Sequence, residues 1–290
     1  MRRIKYIHCF GTSYTAGGGF EFDGTSPNDI LYAIYKDIDS PLTQYNFSYP
    51  GQLQKILGNS VEVINHAKNG YGNERTFRLV YDIVKDSDFN KDEHIFLIEY
   101  AGLGRNEYWF NEINDYIVCN YWFDWDTGYI QKRANIANSY GYQSNEMGDK
   151  LNKYEPLFLE FLEHTLKLDK EIINHHRNIE FFASYLKQKE LNYFYTTNQF
   201  EEYMGRNFTF GDGEYFKKET DFNIFSASNN LSIRTETNFA CNDMHNGYIS
   251  NKIVGLTIYN KLIDLGFFQM EKMDINWKEL KEFKLKNKVI

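Results

Sequence analysis

Lys5-Tyr6-Ile7-His8-Cys9-Phe10-Gly11-Thr12-Ser13-Tyr14-Thr15-Ala16-Gly17 is the stretch on which the fold class turns. Lys5 to Phe10 is a short apolar run that stops at Gly11, the pattern of a buried strand feeding a tight turn. Ser13 follows that turn. In an open α/β sheet, ligands bind beyond the carboxyl ends of the strands, so this serine stands where a nucleophile would. If a helix starts there, its first N–H groups face the same point and can stabilise an oxyanion. A serine at this place also suits a plain helix cap.

Outward from that turn, strands and helices alternate. Gly17 to Ser48 reads as a long loop with a little helix near Leu31 to Lys36. Pro50 opens a helix that runs to Leu57 and stops at Gly58. Val61 to Asn65 reads as a second strand. Asn73 to Asp86 carries Phe77, Val80, Tyr81 and Val84 at helical spacing. His94 to Tyr100 is an unbroken apolar run, expected of a strand buried on both faces. Residues 105–150 are aromatic and irregular and read as an insertion. Residues 151–189 are helical, with a break expected near His175-His176-Arg177. Leu191 to Tyr195 is a fourth strand, residues 200–240 are rich in loop, and Tyr248 to Leu265 closes the chain as a helix ended by Gly266. This alternation predicts an α/β fold, a parallel sheet with helices on both sides, a three-layer α/β/α sandwich. No internal repeat or low-complexity linker divides the 290 residues, so residues 1–290 are read as one domain.

Composition narrows the function. Hydrophobic residues make up 42% of the chain, enough for a globular core. The net charge of −8 and the lack of a long basic run before the tail argue against nucleic acid as partner. Cys9, Cys119 and Cys241 are far apart and form no metal or redox pair. The N-terminus lacks the apolar core of a signal peptide, and no run of about 18 apolar residues could span a bilayer. The expectation is a cytoplasmic protein, or one found wherever a host cell's contents are released, that has no membrane partner.

Four blocks then fall in order. The first is Gly11-Thr12-Ser13-Tyr14-Thr15. The second is Asn65-His66-Ala67-Lys68-Asn69-Gly70, after the second strand. The third is Gly104-Arg105-Asn106-Glu107, after the third strand. The fourth is Asn242-Asp243-Met244-His245, just before the closing helix. Together they resemble the SGNH (GDSL-like) hydrolases, including a divergent phage-associated branch. The first block departs from the family pattern at Thr12, where the family has Asp. The third has Glu107 for Asp. In the fourth, the usual Asp-x-x-His spacing would put Asn242 in the acid's place, while Asp243 sits two residues before the histidine.

The resemblance implies a flavodoxin-like sheet and acyl transfer from an ester. Ser13 would be the nucleophile, His245 its general base and Asp243 the group that orients the imidazole. The backbone of Ser13 and Gly70, with the Asn106 side chain, would supply the oxyanion hole. No metal or organic cofactor is required. A small-molecule or glycan ester is the expected substrate, with an acetyl group favoured. Trp109, Trp122 and Trp125, set among Asn and Asp residues, offer flat faces and polar groups suited to a sugar. Their plain role would be to pack the insertion. A glycan O-acetyltransferase uses the same chemistry and is the nearest alternative. A non-catalytic phage structural or glycan-binding protein with a degenerate site is the alternative from another class. Other constellations fail: Gly70-Tyr71-Gly72 lacks a third glycine, and the adjacent His175 and His176 point to different helix faces. Asp124 and Asp126, either side of Trp125, suit a solvated loop.

Overall fold

A computed structural model describes residues 4–18, 43–101, 104–111, 115–123, 130–138, 157, 160–162, 164–197, 239–240, 245–246, 248–274 and 276. Two compact units emerge. The first comprises residues 1–69, 87–100 and 191–290, and the second comprises 70–86 and 101–190.

The first unit is built on a parallel sheet. Its strands are β1 (Tyr6–Phe10), β2 (Glu62–Asn65), β3 (His94–Tyr100) and a later strand, Asn192–Thr197, in the order β2, β1, β3, Asn192–Thr197. All three pairings are parallel, so β1 and β3 are interior strands. Side chains alternate across a strand. Ile7 and Cys9 therefore share one face with Val63, Ile95 and Leu97. On that face they meet Tyr49, Leu53, Leu57, Val254, Ile258, Tyr259 and Leu262 in one buried core.

The helices that bring those residues have clear local causes. α1 is the single turn Ser13–Ala16, α2 is Gln44–Phe47 and α3 is Tyr49–Leu57. Thr43 caps α2, and Ser48 caps α3 by accepting the Gly51 N–H at 3.3 Å, with Pro50 in the first turn. The closing helix, Tyr248–Asp264, packs along α3 and is followed by Gly266 with φ 77°.

The other face of the sheet is aromatic. Tyr6, His8 and Phe10 project there with His66, His94 and Phe96. His8 is buried and lies between two other imidazoles. Its Nδ1 is 3.0 Å from His66 Nε2, and its Nε2 is 2.8 Å from His94 Nδ1. A neutral imidazole can donate from one nitrogen and accept at the other, so this chain is satisfied without charge. Burial, and then the neighbouring His66 and His94, push the His8 pKa from 6.5 down to about 3. An unfolded chain would take up a proton below pH 6.5 that the fold refuses until about pH 3. Stability is thus complete above 6.5 and falls with acid, at about 1.4 kcal/mol per pH unit for this one group. Urea unfolding between pH 7.5 and 4.5 is expected to show that slope in the wild type and a shallower one in His8→Phe. Parallel curves for the two proteins would refute it.

The second unit holds α4 (Asn73–Val84), strands β4 (Arg105–Phe110), β5 (Asp115–Phe123) and β6 (Ile130–Asn138), and α5 (Leu168–Gln188). β4, β5 and β6 form an antiparallel sheet. The described residues of the segment read as irregular are therefore largely strand. The segment's alternation is hidden because the adjacent Asn106 and Glu107, on opposite sides of β4, are both polar and both have partners. Glu107, whose side chain is inaccessible, pairs with Arg78 of α4 at 2.5 Å, and Asn106 bonds Glu171 of α5 at 3.0 Å. The expected break at His175-His176-Arg177 is absent, since α5 runs through it unbroken. Ile172 and Ile179, on either side of that triplet, are both buried, and farther along Phe77 of α4 stacks on Phe182 of α5 with centroids 4.1 Å apart. The helix instead begins at Leu168, after the non-helical Leu166 and Lys167.

The fourth strand of the parallel sheet, Asn192–Thr197, is β7. Two short strands, β8 (Phe239–Ala240) and β9 (His245–Asn246), pair antiparallel in the first unit, and Tyr248–Asp264 is α6. Among the described residues, no helix is long and apolar enough to cross a membrane.

Candidate functional site

The turn after β1 is anchored by a residue from another strand. Glu99, next to last in β3, is only 2% exposed. Its Oε2 accepts the backbone N–H of Thr12 at 3.1 Å, the N–H of Thr15 at 3.1 Å and the Thr15 hydroxyl at 2.5 Å. Its Oε1 accepts the Thr12 hydroxyl at 2.7 Å. A buried carboxylate is costly unless donors surround it, and here four do. Thr12, at the position where the resembled turn has Asp, is one of the two residues that supply them. The Thr15 hydroxyl also lies 3.3 Å from the hydroxyl of Tyr49, a buried residue whose pKa burial pushes well up.

The end of β2 is stitched to the same turn. The Asn65 amide donates to the Thr15 carbonyl at 3.1 Å, while its oxygen accepts the Ala67 N–H at 3.0 Å. The Lys68 N–H reaches the Gly11 carbonyl at 3.3 Å, and the Ala16 N–H closes α1 on the Thr12 carbonyl at 2.9 Å. The first two blocks seen in the sequence, as far as Asn69, thus meet in space.

α1 carries Ser13, and β9 carries His245. These two segments lie side by side, with Cα atoms of one within 8 Å of Cα atoms of the other, and β9 also adjoins α6. The backbone therefore brings the candidate nucleophile and base segments together from opposite ends of the chain. Asp243 and Asn242 lie outside the described residues, as does Trp125.

The remaining candidates belong to the second unit. Gly70 has φ 79°, a left-handed backbone that suits glycine. Asn106 sits on β4 with its amide N–H on Glu171. Glu107 pairs with Arg78 rather than with its neighbour Arg105. Trp109 is half exposed on β4, its indole N–H donates to Asn111 at 2.8 Å, and its ring meets Tyr116 edge-on. Trp122 is on β5. A polar cleft of about 300 Å³ in this unit is lined by residues that include Glu74, Asn106, Glu171 and His175. Burial, with Glu107 and Glu171 nearby, pushes the Glu74 carboxyl up to about 7.

Glu99 and the His8 chain were missed in the sequence. Both left a mark there: a lone acid in the apolar run His94-Ile95-Phe96-Leu97-Ile98-Glu99-Tyr100, and a histidine in the middle of a buried strand. A polar group at such a place must have partners, and that rule points to both residues.

Among the described residues, no three or more His, Cys, Asp or Glu side chains are grouped to hold a metal ion. The first unit is defined as a mixed α/β structure with a four-stranded parallel sheet and a serine-bearing turn at its carboxyl edge. No protein-family model, curated protein or solved structure matches the chain.

Proposed function

We propose that this chain is a serine ester hydrolase of the SGNH type, with the parallel sheet as the middle layer of a flavodoxin-like α/β/α sandwich. The observation that carries the reading is the approach of β9, with His245, to α1, with Ser13. A serine hydroxyl is a weak nucleophile until a base within hydrogen-bond reach removes its proton. His245 takes that proton as Ser13 Oγ attacks the ester carbonyl. The negative charge on the carbonyl oxygen is met by the Ser13 backbone N–H. His245 then gives the proton to the leaving alcohol, and the acyl-enzyme is hydrolysed by water that His245 deprotonates. Asp243 holds the imidazole in the tautomer that leaves a lone pair toward Ser13 and stabilises its cation.

The substrate is a short acyl ester, an acetyl group on a carbohydrate. The half-exposed Trp109 with Asn111 beside it supports a sugar partner, because a sugar ring offers C–H faces and hydroxyls together. The test is a series of p-nitrophenyl esters from acetyl to octanoyl, run beside acetylated sugars. Acetyl is expected to give the highest kcat/KM, and acetylated sugars are expected to be cleaved. A steady rise toward octanoyl would reject the carbohydrate ester. Failure to cleave any ester, together with no labelling by a serine-reactive fluorophosphonate, would reject the enzyme.

A further inference from the structure

We propose that Glu99 is the positioning residue for Ser13, a role that rests on the serine-hydrolase reading above. The geometry starts from the sheet register. Phe10 of β1 pairs with Ile98 of β3, so the next residues, Gly11 and Glu99, stand at the same level on neighbouring strands. Glu99 continues the side of β3 that carries Ile95 and Leu97, and its carboxylate reaches across Gly11 to the turn. There it binds the residue before Ser13 and the second residue after it. The two backbone N–H groups and two hydroxyls of Thr12 and Thr15 all end on this one side chain.

A single turn of helix has little rigidity of its own, because its first hydrogen bond must fix several residues at once. α1 has only four residues, with the Ala16 N–H bonded to the Thr12 carbonyl at its start. Glu99 supplies the constraint that the turn lacks. It pins the backbone on both sides of Ser13 to an interior strand of the sheet, and Asn65 pins the Thr15 carbonyl from the other neighbouring strand. Glu99 makes no bond to substrate in this scheme. Its effect is to hold the backbone from which Ser13 projects, and a shift of about 1 Å in a reacting group can cost about 100-fold in rate.

Glutamine at 99 keeps the shape but replaces one acceptor oxygen with an amide N–H. At the Oε2 place it faces two backbone N–H groups that then have no acceptor. At the Oε1 place it reverses the Thr12 bond and takes the acceptor from that hydroxyl's proton. Folded Glu99→Gln is expected to label with fluorophosphonate about 100-fold more slowly per folded molecule, and to lose kcat with little change in KM. Thr12→Val, which removes only the Oε1 bond, is expected to slow labelling also, while Thr12→Ser keeps the donor and the wild-type rate. A purely structural anchor would lower the melting temperature but leave the rate per folded molecule alone. Glu99→Gln labelled at the wild-type rate overturns the proposal while the hydrolase reading stands. Wild type that takes no label overturns both. If Glu99→Gln does not fold, the threonine pair decides: equal rates for Thr12→Val and Thr12→Ser overturn the proposal.

Discussion

Ser13→Ala is expected to lose at least about 10⁴-fold in kcat on p-nitrophenyl acetate, with a circular-dichroism spectrum and melting temperature close to wild type. The large loss follows from the chemistry. Without Oγ there is no acyl-enzyme, and water must attack the ester directly. His245→Ala should fall almost as far, because the serine keeps its proton. The double variant should be hardly worse than either single one, since residues that act as one unit are not additive. The small effect on stability follows from the fold. α1 is held by bonds to Thr12 and Thr15, and neither passes through the Ser13 side chain. Burst kinetics on the wild type and their absence in Ser13→Ala would identify the covalent step. Equal turnover by wild type and Ser13→Ala would end the serine mechanism.

The sheet could be read in the sequence because each strand carries its own signal. His94–Tyr100 was bounded to the residue, and β1, β2 and β7 to within one or two. The runs of β1 and β3 are largely apolar on both faces, as expected of interior strands in a parallel sheet. The antiparallel sheet of the second unit was not legible. Its strand β4, Arg105-Asn106-Glu107-Tyr108-Trp109-Phe110, is polar on both sides over its first three residues, so no apolar residue marks an inner side there. What makes those residues suitable is Arg78 and Glu171, which come from helices that are distant in sequence. Pairing of that kind cannot be read from a local pattern. α2 was hidden for a related reason. Four residues are too few for a period, and only the cap from Thr43 to the Asn46 N–H marks its start.

The candidate site was legible in part. Ser13 and His245 were read from motif order, and the approach of α1 and β9 is consistent with that order. The support beneath Ser13 was not read, because Glu99 is separated from it by 84 to 87 residues in each bond. Thr12 looked like a flaw in the first block. In space it is one of the donors that make a buried acid tolerable at position 99.

Gly11→Ala is expected to destabilise the protein by about 3 kcal/mol and to depress activity in the molecules that still fold. Gly11 has φ 155° and lies under the Glu99 side chain. A Cβ there would stand 2.6 Å from the Cβ of Glu99 and 2.7 Å from the Thr15 hydroxyl, and nearer still to Glu99 Oε2. Carbon atoms in contact need about 3.5 Å or more, so something must move. The Glu99 Cβ is tied to an interior strand and cannot retreat without distorting β3. The carboxylate could swing aside, but only by leaving the Thr12 and Thr15 donors buried without an acceptor, which costs about 1–3 kcal/mol for each group stranded. Either route shifts the turn that carries Ser13, so stability and rate should fall together. Gly266→Ala separates this clash from the general cost of replacing a glycine. Gly266 has φ 77° but nothing within 4 Å of a new Cβ, so the variant should lose only about 1–2 kcal/mol for its left-handed backbone and keep wild-type activity per folded molecule. Urea midpoints and fluorophosphonate labelling rates on both variants decide it. If Gly11→Ala matches Gly266→Ala in both measurements, the close approach of Glu99 to the turn is not what fixes Ser13.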